Sequence, residues 1–267
     1  MVIDYKVTGR CNSNCRFCWD FCKGVQESAL SDIENALKKL VGIVDTISLT
    51  GGEPLVTHNI VSIVKCIHNL GFRIYLSTNG ILLNKYLNEI GNYVDIIGLP
   101  VDTSDRDTQA EMGRSSSMLI VTMDNIRNLK KQYPPSVIKV GTVATSMNAH
   151  QLIELGRTLF GGTYPPDYWR VYQFTAYGNA VETKDIFHLG NDEFKNLKNT
   201  LILEFGNKVS FLESEETKKS YWFITPDLKL AKLDNNNALV CGDLSTMSRD
   251  EIVYILNSNR DILINSE

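Results

Sequence analysis

Six times between Val2 and Thr175, a short apolar run rich in β-branched residues is followed by a stretch with helical spacing. This alternation restricts the chain to a parallel sheet with crossover helices. The expected strands are Val2 to Thr8, Asp45 to Thr50, Arg73 to Thr78, Asp95 to Val101, Val137 to Ala144 and Trp169 to Thr175. Leu30, Ile33, Leu37, Leu40 and Val41 recur at about 3.6 residues, as do Ile60, Val61, Val64 and Ile67, and both sets read as one face of a helix. Further helices are expected from about Leu82 to Asn92, across Leu119 to Lys131 with Pro134-Pro135 as the stop, and from about His150 to Leu159. After Asn191 the pattern changes to one helix, Glu193 to Phe205, and shorter strands at Lys208 to Leu212, Tyr221 to Thr225 and Leu228 to Lys232. Six units fall short of an eightfold barrel. The expected fold is therefore α/β, a partial (βα)6 TIM-like barrel over residues 1–190. A C-terminal extension, 191–267, covers its open edge within the same structural unit.

With 267 residues, 43% of them hydrophobic, the chain can bury a core of that size. Lys and Arg number 27 against 31 Asp and Glu, and no run of five like charges occurs, which excludes a disordered chain and a surface for bulk nucleic acid. No apolar stretch approaches the ~20 residues that span a bilayer, and Met1 to Lys6 carries no secretory apolar segment. A cytoplasmic protein with no membrane partner is expected.

The cysteines carry the chemistry. Four of the six, Cys11, Cys15, Cys18 and Cys22, fall within twelve residues, whereas Cys66 and Cys241 stand alone. Such clustering points to metal ligation in a reducing compartment, not to a disulfide framework. Cys11-Asn12-Ser13-Asn14-Cys15-Arg16-Phe17-Cys18 places three thiols at C-x3-C-x2-C in the loop after the first strand, with an aromatic residue before the third. Three thiolates can hold three irons of a [4Fe-4S] cluster and leave the fourth iron open. A zinc-binding interaction module is the alternative, and it would need Cys22 as fourth ligand because no histidine lies nearby. Otherwise Cys22 and Cys66 read as small apolar packing residues, and Cys241, after the turn-like Asp234-Asn235-Asn236-Asn237, has no assigned role.

The cysteine spacing, Phe17, the position after strand one and the Gly51-Gly52-Glu53-Pro54 loop after strand two together resemble the radical S-adenosylmethionine (SAM) superfamily, over roughly Val2 to Thr175. The resemblance implies a [4Fe-4S] cluster held by Cys11, Cys15 and Cys18. It also implies reductive cleavage of SAM, and a 5′-deoxyadenosyl radical that abstracts hydrogen from substrate. A flavodoxin or ferredoxin is the implied electron donor. Gly51 and Gly52 leave room for close backbone approach to a ligand. By resemblance this loop and Glu53 meet the methionyl amine, although Glu53 also suits a helix N-terminus. Ser77 and Asn79 fall where the family places polar groups toward the SAM ribose and carboxylate. Asp102 matches an acid for the ribose hydroxyls, with Pro100 replacing the usual hydroxyl residue. Arg114 matches an arginine that pairs with the SAM carboxylate. Phe17 and Tyr172 complete the cofactor-binding set, and the strand Trp169 to Phe174 would offer its backbone to adenine.

A finer resemblance is to viperin-like enzymes, which dehydrate nucleoside triphosphates. It rests on Trp169-Arg170-Val171-Tyr172-Gln173, on Ile138-Lys139-Val140 with Asn148 downstream, and on Ser220-Tyr221. It implies Lys139 and Arg170 as triphosphate-binding cations and Tyr221 as a nucleotide contact. Asp4, Thr46 and Tyr168 depart from that pattern, standing where asparagine, lysine and arginine are expected. A small-molecule substrate or a short peptide therefore both remain open. The aromatic run Tyr221, Trp222, Phe223 reads either as a substrate contact or as a strand with one core face.

Overall fold

The computed structural model describes residues 1–19, 21–133, 136–216, 221–234 and 237–257. The Pro134-Pro135 stop, Ser220 and the Asn235-Asn236 centre of the polar turn lie outside them. Strands β1 (Val2–Lys6), β2 (Thr46–Thr50), β3 (Arg73–Ser77), β4 (Ile96–Pro100), β5 (Val137–Ala144) and β6 (Tyr168–Gln173) lie side by side in chain order, each parallel to the next. The crossovers carry α1 (Leu30–Lys38), α2 (Ile60–Asn69), α3 (Leu83–Ile90), α4 (Arg106–Glu111) with α5 (Met118–Gln132), and α6 (Leu152–Gly161). The α4 helix occupies a stretch expected as loop. It is capped by Asp105, whose carboxylate accepts the Thr108 N–H at 2.8 Å, and its six residues are too few to show a period.

The strands alternate sharply between two faces. Ile3 and Tyr5, Ile47 and Leu49, Ile74 and Leu76, Ile97 and Leu99, Ile138 and Val140, and Trp169 and Val171 face the helices. There they join Ile33 and Leu37 of α1, Val64 and Ile67 of α2 and Leu155 of α6 in one buried apolar cluster. Each fully buried aliphatic side chain there contributes about 1.5–3 kcal/mol. The residues between them are mostly polar: Asp4, Lys6, Ser48, Thr50, Tyr75, Ser77, Lys139, Arg170 and Tyr172. A sheet with helices on one side only and polar residues on the other has room for a site on its inner face.

The rest of the described chain holds α7 (Lys184–Phe187), α8 (Asn191–Phe205), β7 (Val209–Leu212), β8 (Trp222–Ile224), β9 (Lys229–Asp234), β10 (Asn237–Asp243) and α9 (Arg249–Asn257). The C-terminal strands are built into the two edges of the sheet, whose order is β10-β9-β8-β1-β2-β3-β4-β5-β6-β7. Strand β7 extends it in parallel beside β6, β8 runs parallel to β1, and β9 and β10 return antiparallel. The physical reason is the backbone: the free edges of β1 and β6 carry unpaired N–H and C=O groups, which added strands satisfy. No helix among the described residues is long and apolar enough to cross a membrane.

Candidate functional site

Among its described residues the segment Cys11 to Cys22 holds neither helix nor strand, so its shape comes from neighbouring loops. Behind β2, Gly52 and Glu53 donate their N–H groups to the carbonyls of Thr8 and Arg10, both at 2.8 Å. A Cβ on Gly51 would lie 2.4 Å from the Thr8 oxygen, and one on Gly52 would lie 2.3 Å from the Arg10 oxygen. The glycine pair, expected to make room for a ligand, is thus already required by the backbone leading into the cysteine loop. Behind β3, the Asn79 amide donates to Asn12 Oδ1 at 2.7 Å and Ser13 Oγ at 3.2 Å. Arg16 N–H donates to the Met112 carbonyl beyond α4 at 3.0 Å, and after β6 the Thr183 hydroxyl donates to the Arg16 carbonyl at 2.8 Å. Four separate crossings therefore hold one loop.

That loop forms one wall of a cavity of about 780 Å³, within the ~300–1,000 Å³ range of small-molecule sites. Cys11, Cys15, Cys18 and Phe17 line it, together with Gly51, Gly52, Glu53, Ser77, Asn79, Asp102, Arg114 and Tyr172. The cofactor-binding set expected from sequence is thus gathered around one space, although several of its members are engaged with each other. Glu53 caps the short turn Pro54–Val56. Its Oε1 accepts the Leu55 N–H at 3.0 Å and the Thr78 hydroxyl at 2.6 Å, and its Oε2 accepts the Asn79 N–H at 2.6 Å. Burial raises its pKa against the opposing pull of those donors. Asp102 receives Arg114 Nε on Oδ2 and the Val143 N–H on Oδ1 at 2.8 Å. The Arg114 guanidinium lies 5.1 Å from the Phe17 ring centre, and Phe17 packs edge-on against Phe187 at 5.8 Å.

None of the three residues expected to bind substrate is among those lining the cavity: Lys139 and Arg170 stand behind its floor, and Tyr221 backs the wall at Lys6 and Trp19. Tyr75, which lies across Gly98 so closely that a Cβ there would meet its hydroxyl at 2.5 Å, makes that floor together with Tyr172. The Lys139 ammonium sits 5.0 Å from the Tyr75 ring centre and 5.4 Å from that of Tyr172. Burial, then the neighbouring Arg170, pushes its pKa down to about 8. Burial likewise pushes Tyr172 up to about 12. Arg170 Nε donates to Ser210 Oγ at 3.2 Å, and the Tyr221 hydroxyl donates to Asp4. Sequence reasoning missed Lys6, which does line the cavity. Its signal was the alternation of Asp4, Lys6 and Thr8 with Ile3, Tyr5 and Val7.

The donor set suits an iron–sulfur cluster. Cys11 and Cys18 are exposed and Cys15 half-buried, all on one clamped loop, and the Ser13 N–H donates to Cys11 Sγ at 3.3 Å, a contact that also favours cluster sulfur ligands. No three His, Cys, Asp or Glu side chains among the described residues converge on a single-ion position, as a zinc knuckle requires; thiolates that each bind a different iron need not. Burial pushes the Cys11 thiol up to about 11 and raises that of Cys15. Cys22 is buried at the cavity wall, and Cys66 is half-buried on α2.

Comparison with known proteins agrees with this geometry. The family model of the radical SAM superfamily matches residues 5–159. An S-adenosylmethionine-dependent nucleotide dehydratase of Selenomonas ruminantium is 27% identical over 159 residues, which is 56% of this chain and 58% of that protein. A second protein of that description, from Fibrobacter sp. (strain UWH6), is 22% identical over 98% of this chain and 86% of its own length. The solved structure of native anSMEcpe with bound AdoMet and Cp18Cys peptide superposes with a TM-score of 0.72 at 16% identity, covering 98% of this chain and 81% of that one. That last likeness concerns the fold.

Proposed function

The chain belongs to the radical SAM superfamily, and from that premise we propose that it is a radical SAM enzyme acting on a phosphorylated nucleoside, in the manner of a nucleotide dehydratase. One observation carries the reading. A three-thiol loop, clamped by four crossings, faces the Gly51-Gly52-Glu53 and Asp102-Arg114 groups across a single cavity whose far side is cationic and aromatic. When bound, the cluster and SAM supply a 5′-deoxyadenosyl radical that abstracts a hydrogen atom. The chain's own residues do the rest. Cys11, Cys15 and Cys18 hold the cluster. Asn79 and the glycine pair fix the loop that carries it, and the Asp102–Arg114 pair presents a positioned guanidinium to a carboxylate. Phe17, Phe174 and Phe187 form an apolar patch behind the cysteine loop and exclude water there. Lys139 and Arg170 give the floor its positive charge, and the nucleotide dehydratases among the relatives support an anionic substrate.

Anaerobic reconstitution tests the proposal. With dithionite in place of a flavodoxin or ferredoxin, 5′-deoxyadenosine is quantified with and without the four ribonucleoside triphosphates. About four irons per chain, SAM cleavage, and stimulation by at least one nucleotide are expected. Cys15→Ala should lose iron and cleavage together. Cleavage without stimulation by any nucleotide would move the substrate to a peptide or another small metabolite. One zinc per chain and no cleavage would overturn the proposal entirely.

A further inference from the structure

Three described cations of the inner face, Lys6, Lys139 and Arg170, stand around the cavity in two different situations. Lys139 and Arg170 stand below the Tyr75–Tyr172 floor, one against ring faces and one donating to Ser210. Lys6, the last residue of β1, lies above that floor on the wall of the cavity itself, and only 9% of it is exposed. Its ammonium approaches the rings of Phe223 at 5.2 Å and Tyr221 at 5.7 Å. No hydrogen bond or ion pair to that ammonium occurs among the described residues. The described acidic groups around it make their hydrogen bonds elsewhere. Asp4, two residues earlier on the same face, accepts the Tyr221 hydroxyl; Glu53 holds three donors, and Asp102 holds Arg114 and the Val143 N–H. Glu182 stands exposed at the mouth.

A buried charge is normally paired, and one left with only ring faces costs stability unless a ligand supplies the counter-ion. The aromatic wall beside Lys6 is locked in place. Trp19 packs edge-on against Tyr177 at 5.1 Å and Tyr221 at 5.6 Å, its indole N–H donates to the Thr175 carbonyl at 2.9 Å, and Phe21 stacks on Phe223 at 5.9 Å. An ammonium is a compact point charge, suited to a tetrahedral phosphate more than to the planar fork-to-fork geometry of a carboxylate. We infer that Lys6 is the cation that meets a phosphate group of the substrate inside the cavity, ahead of Lys139 and Arg170, which act from behind the tyrosine floor. This deepens the nucleotide reading above and rests on it.

The test uses the anaerobically reconstituted protein and inorganic tripolyphosphate as probe, with binding followed by calorimetry. Wild type binds, Lys6→Met weakens binding about tenfold or more, and Lys6→Arg keeps most of it. Lys139→Met loses less than Lys6→Met. Lys65→Met, which removes an equal charge from the exposed side of α2, leaves binding unchanged. The Tm of Lys6→Met should equal or exceed that of wild type, because methionine keeps the stem and removes only the unpartnered charge; a structural lysine would give a lower Tm. No binding by wild type, undiminished binding by Lys6→Met, or a larger loss in Lys139→Met overturns the inference. The two readings fail separately. If no nucleotide stimulates 5′-deoxyadenosine formation while Lys6-dependent tripolyphosphate binding persists, the nucleotide reading falls and the anion site stands. If nucleotides stimulate and Lys6→Met leaves their KM unchanged, the inference alone falls.

Discussion

Lys139→Met should make the metal-free protein more stable at neutral pH. Burial, aided by Arg170, lowers the Lys139 pKa from 10.5 to about 8. At ~1.4 kcal/mol per pH unit this means that folding with the charged form costs about 3 kcal/mol. Methionine retains the aliphatic stem without the charge, so the variant gains up to about 3 kcal/mol at neutral pH. The sign with pH follows from proton counting. Between the folded value of about 8 and the unfolded 10.5, the unfolded chain binds a proton that the folded chain does not, so wild-type stability rises with pH across that window. The variant has no such rise from this position, and its advantage, complete below pH 8, is gone by pH 10.5. Urea denaturation of both proteins at neutral and alkaline pH, followed by tryptophan fluorescence, measures the difference; titrations shared by both proteins cancel. A variant that is less stable at neutral pH, or a difference that does not change with pH, would mean that a partner holds the ammonium and would refute the reasoning.

Two further variants probe the supports of the site. Gly52→Ala puts a methyl group 2.3 Å from the Arg10 carbonyl oxygen and forces the two loops apart; a loss of about 2 kcal/mol and a reduced iron content are expected, and normal values in both would count against the clamp. Asp102→Asn leaves the Arg114 guanidinium without its counter-charge at a nearly closed site, which should cost about 3 kcal/mol in urea denaturation and raise the KM for SAM. A variant with the wild-type urea midpoint would show that solvent compensates Arg114.

How much of this was legible in the sequence depends on the range over which each feature is decided. The six βα units were legible because each strand declares itself by local alternation and each long helix by its period; β5 runs over Val137–Ala144, as its residues predict. What was missed is short or decided at a distance. Six residues of α4 cannot display a period, and the destination of β8 beside β1 depends on an unpaired edge some 200 residues earlier. The site shows the same division. That Cys11, Cys15 and Cys18 share one loop beside a cavity was readable from their spacing and their place after the first strand. Gly51 and Gly52 were readable as a place of close approach, but the approaching partner is the chain itself. Lys6 was visible as a polar residue in an alternating strand, yet only the folded sheet tells which face borders a cavity and which borders helices.

The loop that carries the thiols has no secondary structure to stabilise it, and the contacts that shape it come from the same crossings that line the cavity. Asn79 reaches Asn12 and Ser13 while its own N–H is held by Glu53, and Glu53 in turn fastens the end of β3 to the glycine turn after β2. The thiol loop and the cavity are therefore not independent features placed on a scaffold. A change at Thr78, whose hydroxyl donates to Glu53 at 2.6 Å, would free one oxygen of Glu53, loosen Asn79 and so reach the cysteine loop. Buried hydrogen-bond partners of that kind cost about 1–3 kcal/mol to remove, enough to shift a loop held by few other bonds. The far side of the cavity, lined by Lys6, Trp19 and Phe21, makes none of the Glu53–Asn79 hydrogen bonds, so a change of side chain there leaves the bonds that shape the thiol loop in place.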